Sequence, residues 1–553
     1  MTWSGSTKDE ILSSYGRLLP ALREAKGDTG LLEVFREWDK LKSRTEGESN
    51  RRIIAYLLNM ADREAEAAYL EFDSLAGPVA ARSGAQLSRA FLEDPARAIL
   101  ERAYGTRLTA LLENAVILDS PGSLELIQRE NEVVARIQTL YGAPSIHVAG
   151  EDISAAAARA LLSSADESMR KSAFLGIAAW IRGLEPHFLS LFRDLLDIRR
   201  RLAEDLGETS FIPVGYRRLR RLDWGPEDAL KLRRSIRTYI VPVLARFRQR
   251  QARMIGKDVL LPWDTEYYPT SSNGHGFCTD PASLVARMGL LFERLHPSLA
   301  NYFEHLASND LLDLEDRPNK RLAAYCGIFP DERKTMIVSN TIGTHQDFFN
   351  LSHEFGHAFA AQQSFGIEVQ DLRQPGLEVC EVHSIAMEHF AVATSSSAYS
   401  LSEASALRDL RFKWSLEQIP FYAAADAFYH ELFDVPSIDS GILNGLWARI
   451  SLDYLPGVNT SGFEDELSSR WMRGDYYSAP FYGIDYAIAE IVALQLLERL
   501  ESDSTALDSY LRLCRLGGTE STKELFESVG VISPFNPEAV RRVAGFLERA
   551  LML

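Results

Sequence analysis

Cysteine is scarce in this chain: four residues, Cys278, Cys326, Cys380 and Cys514, widely spaced and with no C-x-x-C pair among them. With no paired pattern among them, reduced thiols are the expected state. Also lacking is any apolar run that approaches the length of a membrane-spanning helix. The N-terminal residues are polar, without the apolar core of an export signal, so a cytoplasmic location is expected. Basic residues are in deficit, 60 against 77 acidic, for a net charge of −17. That balance disfavours a protein that tracks a phosphate backbone, and neither nucleic acid nor membrane is expected as a partner. The glycines form no phosphate-binding pattern after a strand: Ser271-Ser272-Asn273-Gly274-His275-Gly276 reads as part of a long loop over residues 264–280.

What is present is a chain of 553 residues, 46% hydrophobic, longer than one typical domain and able to bury a large multi-lobed core. Residues 9–206 read as successive helices, because apolar side chains such as Leu189, Leu191, Phe192, Leu195 and Leu196 recur at helical spacing. Breaks fall at residues 120–122 and 141–144, and residues 145–150 are the one strand-like interruption, expected as a short hairpin. His147 and His187 stand alone there and carry no ligand pattern. Residues 207–215 read as a loop-rich joint, and helical spacing resumes over 230–255. Two β-rich runs, residues 324–329 and 335–340, flank the turn Pro330-Asp331-Glu332-Arg333 and predict a hairpin. An exposed edge strand there would either pair with an extended peptide or only support the helix that follows.

That helix carries the most informative stretch, residues 351–360, L-S-H-E-F-G-H-A-F-A. His353 and His357, four apart, lie one above the other on one helical face, placed to put two nitrogens on one zinc ion with Glu354 beside it as general base. Phe348, Phe349, Leu351, Phe355, Ala358, Phe359 and Ala360 surround them with apolar side chains, and buried ionisable groups are costly unless paired or metal-bound. A catalytic zinc takes a third protein ligand, for which Glu368, Asp371, Glu378, Glu381 and Glu388 are downstream candidates. Residues 377–390 read as a second helix after Gln374-Pro375-Gly376, with Glu378, Glu381 and Glu388 near one face. Either Glu378 or Glu381 would reach back to the first helix, leaving Glu388 to orient a ligand.

His353-Glu354-Phe355-Gly356-His357 followed by Glu381-Val382-His383-Ser384-Ile385-Ala386-Met387-Glu388 resembles the zinc oligopeptidases of the thimet oligopeptidase and oligoendopeptidase F family, closest to the oligoendopeptidase F branch. The run from Asn340 to Asp347 and the segment from Tyr476 to Ala487 are similar to that family as well. The resemblance spans residues 199–500 well and the N-terminal helices loosely. It implies Glu381 as the third ligand, Glu388 as its support and one Zn²⁺ per chain. It further implies a mainly α, two-lobed fold with a deep substrate channel and a small β-sheet beside the zinc helix. On this reading residues 1–198 form an N-terminal helical region, residues 199–553 form the catalytic region, and the substrates are short oligopeptides. One departure stands out: many relatives carry His where this chain has Asp475.

The expected chemistry is hydrolysis of internal peptide bonds by a zinc-held water, whose proton Glu354 takes and passes to the leaving amine. Tyr482 and Tyr486, four apart, are the candidate donors to the developing oxyanion, with Tyr476 a third. His345, His383 and His389 crowd the motif but are expected to pack or hydrogen-bond, since three ligands already complete the site. The rival readings are a zinc carboxypeptidase of related helical architecture and a non-catalytic peptide-binding protein.

Overall fold

The computed structural model describes residues 8–142, 145–269, 280–321, 323–472, 477–503 and 505–553. The Ser271–Gly276 cluster, Cys278, Asp475 and Tyr476 lie outside the described residues. The chain is mainly α. It opens with α1 (Lys8–Glu24), α2 (Gly27–Leu58), α3 (Arg63–Phe91), α4 (Ala96–Tyr104), α5 (Thr106–Ile117) and α6 (Ser123–Leu140). An antiparallel hairpin, β1 (Ser145–Val148) and β2 (Glu151–Ser154), precedes α7 (Ala155–Leu161) and the long α8 (Glu167–Asp205). Then come α9 (Phe211–Arg218), α10 (Pro226–Met254), α11 (Pro281–Leu295) and α12 (Pro297–Ser308). A small sheet is built from β3 (Leu312–Glu315), β4 (Tyr325–Phe329) and β5 (Lys334–Thr341). The remaining elements are α13 (His345–Ser364), α14 (Leu377–Ala393), α15 (Leu401–Asp434), α16 (Ser440–Tyr454), α17 (Glu464–Ser468), α18 (Gly483–Leu500), α19 (Ala506–Leu516), α20 (Thr522–Ser528) and α21 (Pro537–Ala550).

One expectation needs correction, and another is borne out and extended. The joint at residues 207–215 contains the first five residues of α9, which starts because the Ser210 hydroxyl accepts from the N–H of Ile212 and because Phe211, Val214 and Tyr216 are buried. The hairpin β4–β5 is present, but β3 joins it in parallel on the far side of β5, giving the order β3-β5-β4. Only four residues long, β3 alternates leucine with acid, too short a run to stand out as a strand; Lys320, fully buried, holds it by donating to the carbonyls of Asp313, Glu315 and Ser339. Within this sheet β4 is an edge strand.

Burial divides between two clusters. One gathers residues of α1 to α5 such as Phe35, Trp38, Phe91 and Leu108, and reaches across to Val369 and Leu372. The larger one runs from α6 to the C-terminus and centres on α14, which lies between α13 and α18. The division at residues 198 and 199 falls inside α8.

Local chemistry fixes where α13 begins. The Asp347 carboxylate accepts from the N–H groups of Ile342, Gly343 and the N-cap Thr344 at 3.0, 2.8 and 2.9 Å, pinning the approach to the helix onto its first turn. Gly343, at φ +86°, lets the chain turn from β5 into the helix. Further along, Gly356 permits the crossing with α14: a Cβ there would stand 2.5 Å from the carbonyl oxygen of His383 and 2.6 Å from Cα of Ser384. Contact that close brings the histidine face of α13 onto the first turns of α14.

Candidate metal centre

His353 and His357 project from one face of α13, their ring centroids 4.9 Å apart, and Glu381 projects toward them from α14. Glu381 Oε2 lies 3.5 Å from His353 Nε2 and 3.7 Å from His357 Nε2, and one ligand atom of each of the three residues lies within 4.8 Å of the others. Ligands about 2.1 Å from a tetrahedral zinc are separated by roughly 3.4 Å, so this N₂O set fits that ion with one corner left over. Two of the remaining atoms, His353 Nδ1 and Glu381 Oε1, are already engaged. His353 Nδ1 meets Glu388 Oε1 at 2.7 Å, which leaves Nε2 facing the centre. Tyr482 donates to Glu381 Oε1 at 2.5 Å, Ser384 donates to Oε2 at 3.2 Å, and the Tyr486 hydroxyl lies 3.1 Å from that of Tyr482.

A chain of buried charges stands behind Glu388. Its Oε2 pairs with Arg411 Nε at 2.9 Å, Arg411 Nη2 donates to Glu490 Oε1 at 2.6 Å, and Glu490 Oε2 meets His389 Nε2 at 3.2 Å. Glu388 is thus held by a cation on one side while it orients His353 on the other.

Burial and charge set the proton inventory. Burial would raise Glu381, but its hydrogen bond with His353, the charges of both histidines and the Tyr482 hydroxyl bring it down to about 2. Burial pushes His357 down to about 4, leaving a neutral imidazole with a lone pair to give. Burial also acts to lower His353, but Glu381 and Glu388 overcome it and raise the group; a cation at Nε2 would take the place of that proton. Glu354, buried beside them, is pushed up to about 7 by desolvation, with Glu381 and Glu388 adding and His353 opposing. A carboxylate poised near neutrality can both accept and return a proton.

The site opens into a cavity of about 390 Å³, whose wall includes Tyr325 and Cys326 of β4, Arg220, and Glu46 of α2. The backbone N–H of Cys326 on β4 faces Glu354 and opposes the rise in its pKa, so the general-base candidate lies against the edge strand. Cys326, Cys380 and Cys514 are free thiols, and burial lifts Cys380 and Cys514 to about 12.

Other candidates lie elsewhere. Glu368 pairs with Arg36 and Asp371 with Lys42. Glu378, near the same face three residues before Glu381, does not reach the histidines: its carboxylate accepts from Trp224 Nε1 at 3.1 Å and from the Thr522 hydroxyl at 2.5 Å. His345 starts α13 with its ring against Phe349, and His383 packs its ring near Tyr510, whose hydroxyl donates to the His383 carbonyl. His147 pairs with Asp152 at the surface, and His187 is exposed. Sequence reasoning missed Arg411 and Glu490. The available signal was Glu490 standing alone in the apolar run Ala487-Ile488-Ala489-Glu490-Ile491-Val492-Ala493-Leu494.

Residues 293–544 match the model of peptidase family M3, and residues 3–118 match the peptidase M3 N-terminal domain. A structure assigned as an oligoendopeptidase F is similar at 28% identity and a TM-score of 0.93, with 100% of this chain and 98% of that one covered. PZ peptidase A with an inhibitor is similar at 26% identity and a TM-score of 0.92, with 100% and 98% covered. A protein from Bacillus anthracis str. Ames, also assigned as an oligoendopeptidase F, is similar at 26% identity and a TM-score of 0.88, with 100% and 97% covered. No curated protein matches the chain in sequence. Among the described residues no helix is long and apolar enough to cross a membrane. With two family models covering both ends and the fold shared end to end with oligoendopeptidase F structures, this chain belongs to peptidase family M3 and is a metalloendopeptidase.

Proposed function

We propose that the protein is a cytoplasmic, zinc-dependent endopeptidase that hydrolyses internal bonds of short oligopeptides, with His353, His357 and Glu381 as ligands. The observation that carries the reading is the convergence of two imidazole nitrogens and one carboxylate oxygen, with Glu354 beside them and an edge strand on the cavity wall. Zinc at that point supplies a Lewis acid that acidifies water and polarises a carbonyl. Glu354 takes the proton of the attacking water and returns it to the leaving nitrogen. The backbone of β4 offers main-chain groups to an extended peptide, which favours oligopeptides over folded proteins. Tyr486 supplies a hydroxyl toward the oxyanion; the Tyr482 proton goes to Glu381 in the resting site, where it fixes the carboxylate that binds the ion, and would reach the oxyanion by turning from that partner. The catalytic region, residues 199–553, is completed by the N-terminal helical region, residues 1–198, which contributes Glu46 to the cavity wall.

Cleavage of a quenched fluorescent peptide tests this proposal. Turnover should vanish with a chelator and return with zinc. Glu354→Gln should keep one zinc per chain and lose about 10²- to 10⁴-fold in kcat, as expected for removal of a general base. Full activity in that variant would refute the base assignment. Product masses separate the rivals: internal cuts support the proposal, a ladder from the C-terminus supports a carboxypeptidase, and binding without turnover supports a peptide carrier.

A further inference from the structure

The segment that delivers Tyr482 to the metal centre has backbone carbonyls gripped from distant parts of the chain. Arg199, on α8 and wholly buried, donates through Nη2 to the carbonyl of Tyr477 at 2.6 Å and to that of Ser478 at 3.2 Å. Arg221, also wholly buried, donates through Nη2 to the carbonyl of Phe481 at 2.7 Å. Each cation is itself anchored by a carboxylate, Arg199 by Glu130 at 2.8 Å and Arg221 by Asp485 at 2.6 Å. The guanidinium of Arg221 also lies over the rings of Trp224 and Tyr216, 4.1 and 4.6 Å from their centroids.

Phe481, the residue just before Tyr482, adopts φ +72°, a left-handed conformation that a bulky side chain avoids unless its surroundings hold it there. Those surroundings are visible. Its ring is buried against Tyr216 and His430 at centroid distances of 5.4 and 4.8 Å, and Gly215 has no Cβ where one would stand 2.7 Å from that ring. The carbonyl on the other side of the strained residue is the one that Arg221 takes.

We infer that Arg221 is a positioning residue for the hydrolytic reaction: by holding the Phe481 carbonyl it keeps the strained turn that aims the Tyr482 hydroxyl at Glu381. Arg221 does not touch the ion or the substrate; it acts through the backbone. A relaxed turn would rotate the peptide plane between Phe481 and Tyr482 and withdraw the phenol from a carboxylate that it reaches at 2.5 Å. The inference rests on the proposed role of Tyr482, and its test separates the two.

The variants to compare are Arg221→Met with Asp485→Asn, Asp485→Asn alone, and Tyr482→Phe. Removing both charges avoids a lone buried ion, and the single Asp485→Asn substitution keeps an oxygen acceptor for Arg221. The double variant should stay folded with one zinc per chain and lose at least tenfold in kcat, with KM within threefold of the parent. Asp485→Asn alone should melt earlier but keep kcat within threefold. If the double variant keeps kcat within threefold, or if Asp485→Asn alone loses as much as the pair, Arg221 has a structural role only and the inference falls. Should the double variant not fold, Arg221→Lys, with its charge kept but its fork lost, must show the same fall in kcat at constant KM. Unimpaired turnover in Tyr482→Phe would remove the reading of Tyr482 itself, and this inference with it.

Discussion

The two sides of the metal centre are built in opposite ways. On the histidine side, His353, Glu354, His357, Glu381 and Glu388 come from α13 and α14, neighbours in sequence that cross at Gly356. On the tyrosine side, Tyr482 is aimed by contacts from Arg199 and Arg221, which lie 278 to 260 residues earlier in the chain. One side is a local motif that needs only correct helix packing. The other is a turn that depends on the whole fold. The contrast teaches that metal binding and turnover should separate under mutation.

The largest expected effect tests the local side. His357→Ala should abolish both zinc retention and turnover, read by metal analysis and peptide cleavage; a variant that keeps zinc would show that the ligands lie elsewhere. Next is Gly356→Ala, which places a methyl against the backbone of α14 and should cost about 1–3 kcal/mol of stability, as overpacking does. Zinc affinity should fall with it, because the crossing sets the distance between Glu381 and the histidines. Glu388→Gln should weaken zinc about 10- to 100-fold, the usual cost of losing a partner that orients a ligand, and a competition titration with a chelator would measure it. An unchanged affinity would mean that Arg411 and Glu388 serve packing alone.

The smallest effect belongs to the long-range side. Burial tends to raise Glu130, but Arg199 and Arg218 outweigh it, so its folded-state pKa lies below the ordinary value of 4.5. A group depressed in this way contributes stability above the unfolded value and loses it as pH falls from about 4.5 through the lower folded value. Glu130→Gln should therefore remove part of the acid-induced fall in melting temperature below pH 4.5 while leaving zinc stoichiometry unchanged. A fall identical to that of the parent would show that this carboxylate does not anchor the clamp.

Legibility followed the same division. The spacing of His353 and His357, the apolar flanks, the hairpin β4–β5 and the helical text of α2, α8 and α14 are periodic signals, and periodicity is what a sequence displays directly. Geometry alone left Glu378 and Glu381 both open, since each would reach back along the second helix; the family resemblance chose between them. The structure places Glu378 instead with Trp224 and Thr522. The strand β3 and the helix α9 escaped because their cause is tertiary: β3 is held by Lys320 and β5, α9 by the core that buries Phe211 and Tyr216.

By itself the sequence determined that the chain would be helical, that two imidazoles would share a face, and that a carboxylate would stand beside them, because helical pitch converts spacing into direction. Tertiary structure decided which glutamate completes the set, what holds His353 in place and where the Tyr482 hydroxyl points. Those outcomes depend on helices meeting at a glycine and on buried arginines reaching carbonyls hundreds of residues away. Such contacts leave no period in the text, since a buried charge finds its partner only once the core has formed around both.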